Sequence, residues 1–474
     1  MDRRVLRLAG ITLWLLGSMQ GEDPCAGPER RALILSGGGP KGAFQAGAVY
    51  HLVVHRKCDF HEFSGVSIGA VNAAFLAQAS ESADAADSHA HLAEQSEALV
   101  LLWESIKSKN DAVKGRRLAT LRFGLFGTES LNDFRPLRRL LEANVSLDKL
   151  DQGRTVSVGL TNFWDGGYRE IEAGSTPDER GRTNFLDYLY ASAVPPVYGK
   201  MPRIREVGQA DDPPPSVQFG DGSLRHITPV ARYFPACRKR PAALMASLLA
   251  LAPRDEMDCD SDSTPGRTIQ EPVQQLFVIV TSPYSRDSDR LPVTDPSCCQ
   301  PGKREITKGP KILRRTLALM VDANYRRDLD FLLFANDTLR WRWAAYQHAV
   351  SSAPAEHLEE VRRQFRGATG FPLESYNRDP QDPGAPARPY EIGLVVPEKE
   401  YAEVGNMLVF SRSMIREQMY CGCVAADQMI QRDFGLASQA ERCAERFPPG
   451  RERKEQASLE PAKTWHPMTC RQGP

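Results

Sequence analysis

The sequence has little of what marks a nucleic-acid-binding or membrane-spanning protein. Lysine and arginine total 60 and aspartate and glutamate total 60, so the chain of 474 residues has no formal net charge at pH 7. Without a broad positive field, nucleic acid is a poor candidate partner. Internal repeats and long hydrophobic runs are also absent, and apolar (41%) and charged (25%) residues are near globular averages. This composition excludes a multi-span membrane protein, a fibre and a disordered chain.

The N-terminus has a short apolar segment rather than a membrane span. The stretch from Leu8 to Leu16 is about ten residues long, against the roughly twenty that a membrane-spanning helix needs. Three arginines precede it and polar residues follow, which is the order of a secretory signal peptide. We expect a signal peptide over residues 1–24 and export to the periplasm, the envelope or the medium. The alternative is an uncleaved segment that tethers the protein to a membrane.

The cysteines lack zinc-finger spacing. The close pairs Cys298–Cys299 and Cys421–Cys423 have no matching second pair, so disulfides are favoured over metal ligation, and no metal is expected. In an exported chain the cysteines would be oxidised. Their pairing cannot be read from the sequence. The ten cysteines are residues 25, 58, 237, 259, 298, 299, 421, 423, 443 and 470.

Alternating strand and helix patterns indicate an α/β fold. Each buried strand pattern near the N-terminus is followed by a helical pattern, which predicts a parallel sheet. Segments rich in Pro, Ser and Asp predict insertions near 235–272 and 285–310 within a catalytic domain of residues 31–435, and a Cys-containing tail over 436–474. Predicted strands are Ala32–Leu35, Thr155–Leu160, Tyr168–Glu172, Leu276–Thr281 and Ile392–Val396; predicted helices are Ala43–Val54, Ile68–Gln78, Glu94–Ile106, Leu313–Phe334 and Met407–Gln431.

A glycine-rich turn follows the first predicted strand. In Ser36-Gly37-Gly38-Gly39-Pro40-Lys41-Gly42, backbone amides could face an anion at the N-terminus of the next helix. The same glycines match the dinucleotide fingerprint G-x-G-x-x-G, with Asp59 or Glu62 about twenty residues further on. The turn alone leaves an anion hole and a nicotinamide or flavin site both open.

A second motif favours a serine nucleophile. Gly65-Val66-Ser67-Ile68-Gly69 lies between a predicted strand and a predicted helix, and a serine at such a G-x-S-x-G turn exposes its hydroxyl. The glycine-rich turn and this elbow should meet at one edge of a parallel sheet. Among nine histidines only His226 is a candidate base, and Ser67 follows too few strands for an ordinary α/β-hydrolase.

These motifs resemble the patatin-like phospholipase family. The resemblance covers residues 31 to about 281, with a continuation to about 431, and includes the glycine-rich turn, the elbow, the segment Ala191–Val197, and Asp221-Gly222-Ser223 followed by Thr228-Pro229. It implies a three-layer α/β fold, with a mostly parallel central sheet between helices on both faces and a helical C-terminal extension. It also implies a Ser67–Asp221 dyad and an oxyanion hole at Gly37, Gly38 and Gly39. The supporting motif residues are Lys41, Gly42, Gly65, Gly69 and Gly222.

One departure from the family pattern affects the choice of aspartate. The usual Asp-Gly-Gly or Asp-Gly-Ala is Asp221-Gly222-Ser223 here, whereas a literal Asp165-Gly166-Gly167 occurs earlier. Asp165 lies between two alternating segments, where Asp-Gly is the expected hairpin turn. Asp221 has the family order, and Ser223 is a small replacement, so Asp221 is the predicted base.

The resemblance implies a hydrolase of fatty-acyl esters of phospholipids or lysophospholipids. Its partner would be a membrane or micelle surface, bound peripherally, and no cofactor is implied. Lys41 is expected to point outward or to fix the glycine loop. Apolar helix faces around Leu313–Met320 and Phe331–Phe334 could line an acyl pocket or contact a bilayer, although core packing is the commoner role. The insertion Pro235–Gln270 could form a lid. A silent lipid-binding protein of the same fold and a dinucleotide-dependent oxidoreductase are the alternatives.

Overall fold

A computed structural model shows how the chain folds. It describes residues 23–115, 130–174, 179–205, 216–234, 237–239, 257–259, 273–284, 309–367, 377, 382, 385–398 and 411–448. Most of the predicted signal peptide, of the insertions and of the tail lies outside these residues. No helix in the described ranges is both long enough and apolar enough to cross a bilayer.

The centre of the molecule is an eight-stranded mixed sheet. Its strand order is β12-β11-β1-β2-β5-β8-β7, and β6 also pairs with β5. Neighbouring strands from β12 to β5 are parallel, whereas β6, β7 and β8 form antiparallel pairs. The strands are β1 (Arg31–Leu35), β2 (Glu62–Val66), β3 (Lys114–Gly115), β4 (Asn132–Asp133), β5 (Thr155–Asn162), β6 (Tyr168–Glu172), β7 (Arg203–Arg205), β8 (Ser216–Asp221), β9 (Cys237–Lys239), β10 (Met257–Cys259), β11 (Gln275–Ile279) and β12 (Glu391–Val395).

Helices connect the strands. A π-helical turn, His51–His55, continues the first helix, and a short 3-10 turn, Gly39–Lys41, precedes it. The α-helices are α1 (Gly42–Tyr50), α2 (Ile68–Leu76), α3 (Ala85–Ser105), α4 (Arg135–Asn144), α5 (Leu147–Gln152), α6 (Glu179–Ser192), α7 (Gly309–Ser352), α8 (Leu358–Gly367), α9 (Arg412–Phe434) and α10 (Ala440–Arg446).

Hydrophobic cores lie on both faces of the sheet. Along β1, Leu33 and Leu35 enter one core with helices α1, α2, α3 and α9, while Ala32 and Ile34 enter the other core with α7. Strand β11 alternates in the same way. Successive side chains point to opposite faces of the sheet. Because both faces are covered, every position of a central strand is buried, and the strand is continuously apolar. The predicted three-layer, mostly parallel α/β fold is confirmed.

Several elements are longer than predicted. Helix α3 begins at Ala85, inside a segment that the sequence analysis left outside any helix, because the Asp84 carboxylate accepts hydrogen bonds from the amides of Ala86 and Asp87. Helix α7 extends to Ser352. The two predicted strands around Asp165 do form an antiparallel hairpin, β5–β6. Within the insertion near 235–272, the described residues pair as β9 and β10.

Two disulfides have both of their cysteines among the described residues. Cys25 is bonded to Cys58 just before β2, and Cys423 in α9 is bonded to Cys443 in α10. The second bond attaches the beginning of the C-terminal tail to the main core, in which Cys443 is fully buried. Residues 436–448 therefore pack as part of the described fold.

Candidate active site

The predicted nucleophile and base meet at the carboxyl edge of the sheet. Strand β2 ends at Val66, which pairs with Gly159 of β5, and the next residue of β5, Leu160, pairs with Asp221 of β8. Strand pairing therefore places Asp221 level with Ser67. The Ser67 hydroxyl donates a hydrogen bond to Oδ2 of Asp221 at 2.8 Å.

Ser67 has a strained backbone. It lies between β2 and α2 with φ 56° and ψ −126°, a region that non-glycine residues seldom occupy. Its amide donates to the hydroxyl of Ser192, 2.9 Å away, and that hydroxyl donates to the carbonyl of Gly159. Ser192 belongs to the quoted segment 191–197, but its contact with the nucleophile was not predicted.

Two glycines of the motifs allow backbone segments to approach closely. A Cβ atom on Gly69 would lie 2.2 Å from the carbonyl oxygen of Leu35, and one on Gly222 would lie 2.5 Å from that of Gly159. Because these contacts involve backbone atoms, a side chain at either position would push the elbow or the Asp221 loop away from its neighbour.

Asp221 has the surroundings of a base. Its side chain is buried, and this desolvation raises its pKa above the ordinary value. Hydrogen bonds from the Ser223 amide to Oδ1, at 2.9 Å, and from Ser67 oppose the shift. Ser223 therefore provides the amide that fixes the carboxylate, even though the family motif usually has another small residue there.

The glycine-rich turn lies beside Ser67, but its three amides differ. The Gly37 amide donates to the carbonyl of Ile227 at 2.8 Å. Gly38 and Gly39 line the cavity that contains Ser67. Lys41 is buried, and its Nζ donates to Ser282 Oγ at 3.2 Å. Of its two expected roles, pointing outward is therefore wrong, and fixing the glycine loop stays a prediction. The 3-10 turn and α1 follow directly, so the positive end of a helix dipole faces this region.

Helix α7 supplies supporting residues that the sequence analysis missed. The Tyr325 hydroxyl is buried and donates to the Gly37 carbonyl, which also accepts a hydrogen bond from Thr281 Oγ1. Oδ2 of Asp328 accepts hydrogen bonds from the backbone amides of Ile227 and Thr228, which follow Asp221 along the chain. No sequence motif marks these residues, because they are more than 90 residues from the loops they support.

The other candidate residues lie elsewhere. His226 Nδ1 is 2.9 Å from Asp328 Oδ1, so the ring is bonded to α7 and not to Ser67. Asp165 is part of the β5–β6 turn, where its carboxylate accepts the Gly167 amide and pairs with Arg169. The hairpin interpretation of Asp165 agrees with this geometry.

The acidic residues of the dinucleotide fingerprint lie at the amino edge of the sheet, away from the glycine-rich turn. Asp59 precedes β2 and is ion-paired with Arg154 at 2.7 Å, and Glu62 begins β2. The glycine-rich turn lies at the opposite, carboxyl edge, and five residues of strand span roughly 16 Å. Neither carboxylate can therefore reach a ribose held by Gly37–Gly42.

A cavity of about 510 Å³ opens beside Ser67 and Asp221. Its walls are mainly apolar and come from α2, α3, α4, the segment after Ser192 and the middle of α7. This volume is typical of a small-molecule pocket. Of the predicted face Leu313–Met320, Met320 belongs to the wall, and the side chains of residues 313–318 lie outside the described part of the chain. The segment Phe331–Phe334 does not line the cavity, and Leu332 packs in the core. The apolar wall residues include Ile68, Val71, Leu102, Trp103, Ile106, Val113, Phe134, Leu137, Leu140, Phe163, Val197 and Met320.

Part of the chain matches the sequence model of a known family. The sequence model of one family, described as patatin-like phospholipase, matches residues 33–232, which include both Ser67 and Asp221. No curated protein sequence matches the chain.

Two solved structures are similar to the chain. VipD from Legionella pneumophila is 11% identical, with 92% of this chain and 89% of that chain covered and a TM-score of 0.24. The ExoU–SpcU complex from the type III secretion system of Pseudomonas aeruginosa gives 16% identity, 88% and 74% coverage and a TM-score of 0.20. The likeness to known proteins therefore rests on the family model: residues 33–232 are a patatin-like phospholipase match.

Proposed function

We propose that this protein hydrolyses fatty-acyl esters of phospholipids or lysophospholipids through an acyl-serine intermediate. The hydrogen bond between Ser67 Oγ and Asp221 Oδ2, at the wall of an apolar cavity, is the observation that carries the proposal. A nucleophile within hydrogen-bond reach of a buried base is the arrangement that covalent catalysis requires.

The first step uses the raised pKa of Asp221. As Ser67 Oγ attacks the ester carbonyl carbon, its proton passes to Asp221 Oδ2 and the carbonyl oxygen becomes an oxyanion. A desolvated carboxylate is a stronger base than one in water, which makes a dyad without histidine chemically feasible. The tetrahedral intermediate then collapses, and Asp221 returns the proton to the departing alcohol oxygen. This leaves the acyl group on Ser67.

The second step releases the fatty acid. Asp221 accepts a proton from a water molecule as that water attacks the acyl-serine, and the second tetrahedral intermediate breaks at the Ser67 Oγ–carbon bond. The proton then returns to Ser67 Oγ.

Gly38 and Gly39 are the proposed oxyanion donors. Both line the cavity, whereas the Gly37 amide is already donated to Ile227, so we confine the oxyanion hole to two of the three predicted glycines. Each such donor typically contributes 10²–10³ in kcat, about 3–4 kcal/mol.

The apolar cavity supports an acyl chain as the bound group. Each methylene that enters it contributes roughly 0.8 kcal/mol, so two added methylenes favour the longer chain about 15-fold until the cavity is filled. Since apolar side chains form most of the cavity wall, we expect chain length to matter more than headgroup identity.

A rim of exposed apolar side chains suggests docking on a lipid surface. Phe163, Val197, Leu224 and Met320 line the cavity and are also 40–59% exposed, and Trp164, next to Phe163, is 89% exposed. Large exposed apolar groups around a cavity mouth are typical of interaction sites. We propose that this rim contacts the bilayer or micelle from which the substrate is drawn.

Export remains part of the proposal. The Cys25–Cys58 and Cys423–Cys443 disulfides support an oxidising compartment. A peripheral enzyme outside the cytosol would meet its substrate at an envelope or other membrane surface.

The proposed function is tested by release of fatty acid from mixed phosphatidylcholine and lysophosphatidylcholine vesicles. We expect Ser67→Ala to lower the rate by about 10⁴-fold or more, and Asp221→Asn by about 10³-fold. Asp165→Asn is the matched control, since it makes the same change in an exposed Asp-Gly turn, and it should retain wild-type activity.

Other outcomes would assign a different function. Vesicle binding without turnover by the folded wild type would indicate a silent lipid-binding protein. Full activity of Asp221→Asn would show that another residue is the base.

A further inference from the structure

A cluster of two histidines and two cysteines lies apart from the active site. His51 and His55 begin and end the π-helical turn after α1, Cys423 lies in α9 and Cys443 in α10. Lys41, at the cavity wall, is ten residues before His51, which is about 15 Å along a helix. The cluster therefore has no part in the chemistry proposed for Ser67. π-helical turns occur frequently at functional sites.

The four side chains converge on one point. Their potential ligand atoms all lie within 4.8 Å of one another. Nδ1 of His51 is 3.6 Å from Sγ of Cys423, 3.6 Å from Sγ of Cys443 and 3.2 Å from Nδ1 of His55.

These separations match those of a tetrahedral zinc site. Bonds of about 2.3 Å to sulfur and about 2.05 Å to nitrogen, at tetrahedral angles, place S and N roughly 3.6 Å apart and two N atoms roughly 3.3 Å apart. Three of the ligand pairs already have these distances. Two imidazoles and two thiolates are also the donor set that zinc prefers.

The outer contacts of His51 fit a metal ligand. Its second nitrogen, Nε2, lies 3.3 Å from Oδ1 of Asp427, and a carboxylate in this position fixes the ring of many metal-bound histidines. Asp427 is itself held by Arg56 at 2.6 Å. In the disulfide form, Arg56 Nε donates a hydrogen bond to His51 Nε2 at 3.2 Å. Metal binding at Nδ1 therefore requires the ring proton to move to Nε2, where it is donated to Asp427 and replaces the bond from Arg56.

An ion can reach this cluster from the side of one ligand. His51, Cys423 and Cys443 are fully buried, and His55 is partly exposed, which leaves a path for an ion.

We propose that His51, His55, Cys423 and Cys443 bind one zinc ion when the Cys423–Cys443 disulfide is reduced. The same pair then connects α9 and α10 in either of two ways, by a disulfide in an oxidising compartment or by zinc in a reducing one. The sequence analysis missed this site because the histidines are some 370 residues before the cysteines, so no short spacing marks it.

Conversion of the Cys423–Cys443 disulfide into two thiols needs a reductant, and a dithiol can supply the two electrons and two protons. The dithiol loses two electrons and two protons and closes to a disulfide, and Cys423 and Cys443 become two thiols. Zinc then displaces one proton from each thiol, and the two sulfur atoms separate to about 3.8 Å, the distance between sulfur ligands of a tetrahedral zinc.

The test is metal binding by the full-length protein. We expect the oxidised protein to bind neither Co²⁺ nor Zn²⁺ here. Protein reduced with a phosphine, which does not compete as a thiol ligand, should bind about one Co²⁺, with the visible bands of tetrahedral coordination and near-ultraviolet thiolate-to-metal absorption. Zn²⁺ should abolish both signals.

Variants separate this site from the other cysteines. His55→Gln changes the most exposed ligand, and it should weaken Co²⁺ binding by more than the ~10–100-fold that loss of an outer partner costs. Asp427→Asn should fall within that ~10–100-fold range. Cys421→Ser is the matched control, because Cys421 lies two residues from Cys423 in the same helix but is not one of the four proposed ligands. Cys421 is disulfide-bonded in the oxidised protein, so this variant is compared after full reduction, when it should bind Co²⁺ as the wild type does.

Three results would overturn the proposal. These are no metal binding by the reduced, folded wild type, unchanged binding by His55→Gln, and loss of helical circular dichroism on reduction even with zinc present. Serine labelling at Ser67 can be measured on the same samples, and its failure would bear on the proposed hydrolase alone.

Discussion

The two edges of the central sheet differ in the partners that they give to buried charged side chains. At the carboxyl edge, Ser67 has a strained backbone, and a cavity opens beside it. The buried Asp221 carboxylate accepts hydrogen bonds from Ser67 and Ser223, and no cationic side chain of the described residues pairs with it. At the amino edge, the equally buried Arg154 is ion-paired with Asp59 and donates to the carbonyls of Phe60 and Ser88. The amino edge gives its buried cation an anionic partner and two carbonyl acceptors, whereas the carboxyl edge holds a buried carboxylate whose pKa is raised by desolvation.

This difference predicts that the two edges contribute to different properties of the protein. A buried charge with several partners is costly to disrupt, because removing one partner leaves the others desolvated. A carboxylate whose pKa is raised by burial instead opposes folding whenever it is ionised. We therefore expect stability to depend on the amino edge and catalysis on the carboxyl edge.

The largest expected effect is on the free energy of unfolding. Arg154→Met should lower it by about 3–5 kcal/mol, since Asp59 and two carbonyls lose their partner. Asp221→Asn should leave the free energy of unfolding at pH 7 unchanged or raise it. The pKa of Asp221 is higher in the folded than in the unfolded state, so ionised Asp221 destabilises the fold above that pKa. This destabilisation disappears as the pH falls and the carboxylate is protonated. Urea unfolding of both variants checks this, and equal losses would contradict the comparison.

An intermediate effect is expected from the support behind the glycine-rich turn. Tyr325→Phe removes the hydroxyl that holds the Gly37 carbonyl, and it should lower kcat about tenfold with little change in KM. The unfolding free energy should fall by only about 1–2 kcal/mol. Tyr284→Phe is the control, because that hydroxyl bonds to Asp330 of the same helix in an exposed position. A drop in kcat of the same size in the control would refute a specific role for Tyr325.

The smallest effect concerns the rim. Trp164→Ala should reduce hydrolysis of vesicles a few-fold while leaving a soluble short-chain ester unaffected, because only the former requires contact with a surface. Trp341→Ala, which removes an exposed tryptophan of α7 outside the cavity wall, should change neither rate. If Trp164→Ala lowered both rates equally, the residue would act on the pocket and not on docking.

Local patterns in the sequence predicted the parts of the site that are formed by neighbouring residues. The G-x-S-x-G elbow identified Ser67, and the hairpin pattern distinguished Asp165 from Asp221. The central strands were found because both of their faces are buried, which makes them continuously apolar.

Features that depend on tertiary contacts could not be predicted. The motif predicted that the Gly37 amide belongs to the oxyanion hole. In the structure this amide donates a hydrogen bond to the carbonyl of Ile227, 190 residues later in the chain. Tyr325 and Asp328 support the site from a helix whose sequence resembles any amphipathic helix. The start of α3 could have been found, since Asp84 precedes a run of good helix formers and is a favourable N-cap.

The central claim is that Asp221 activates Ser67, and the rate of fluorophosphonate labelling tests it most directly. In the wild type, labelling mapped to Ser67 should accelerate as the pH rises through the raised pKa of Asp221, above its ordinary 3.8, and then level off. Asp221→Asn should label at least ~100-fold more slowly, without this pH dependence. Labelling of Asp221→Asn at the wild-type rate, or an adduct on a residue other than Ser67, would contradict the account.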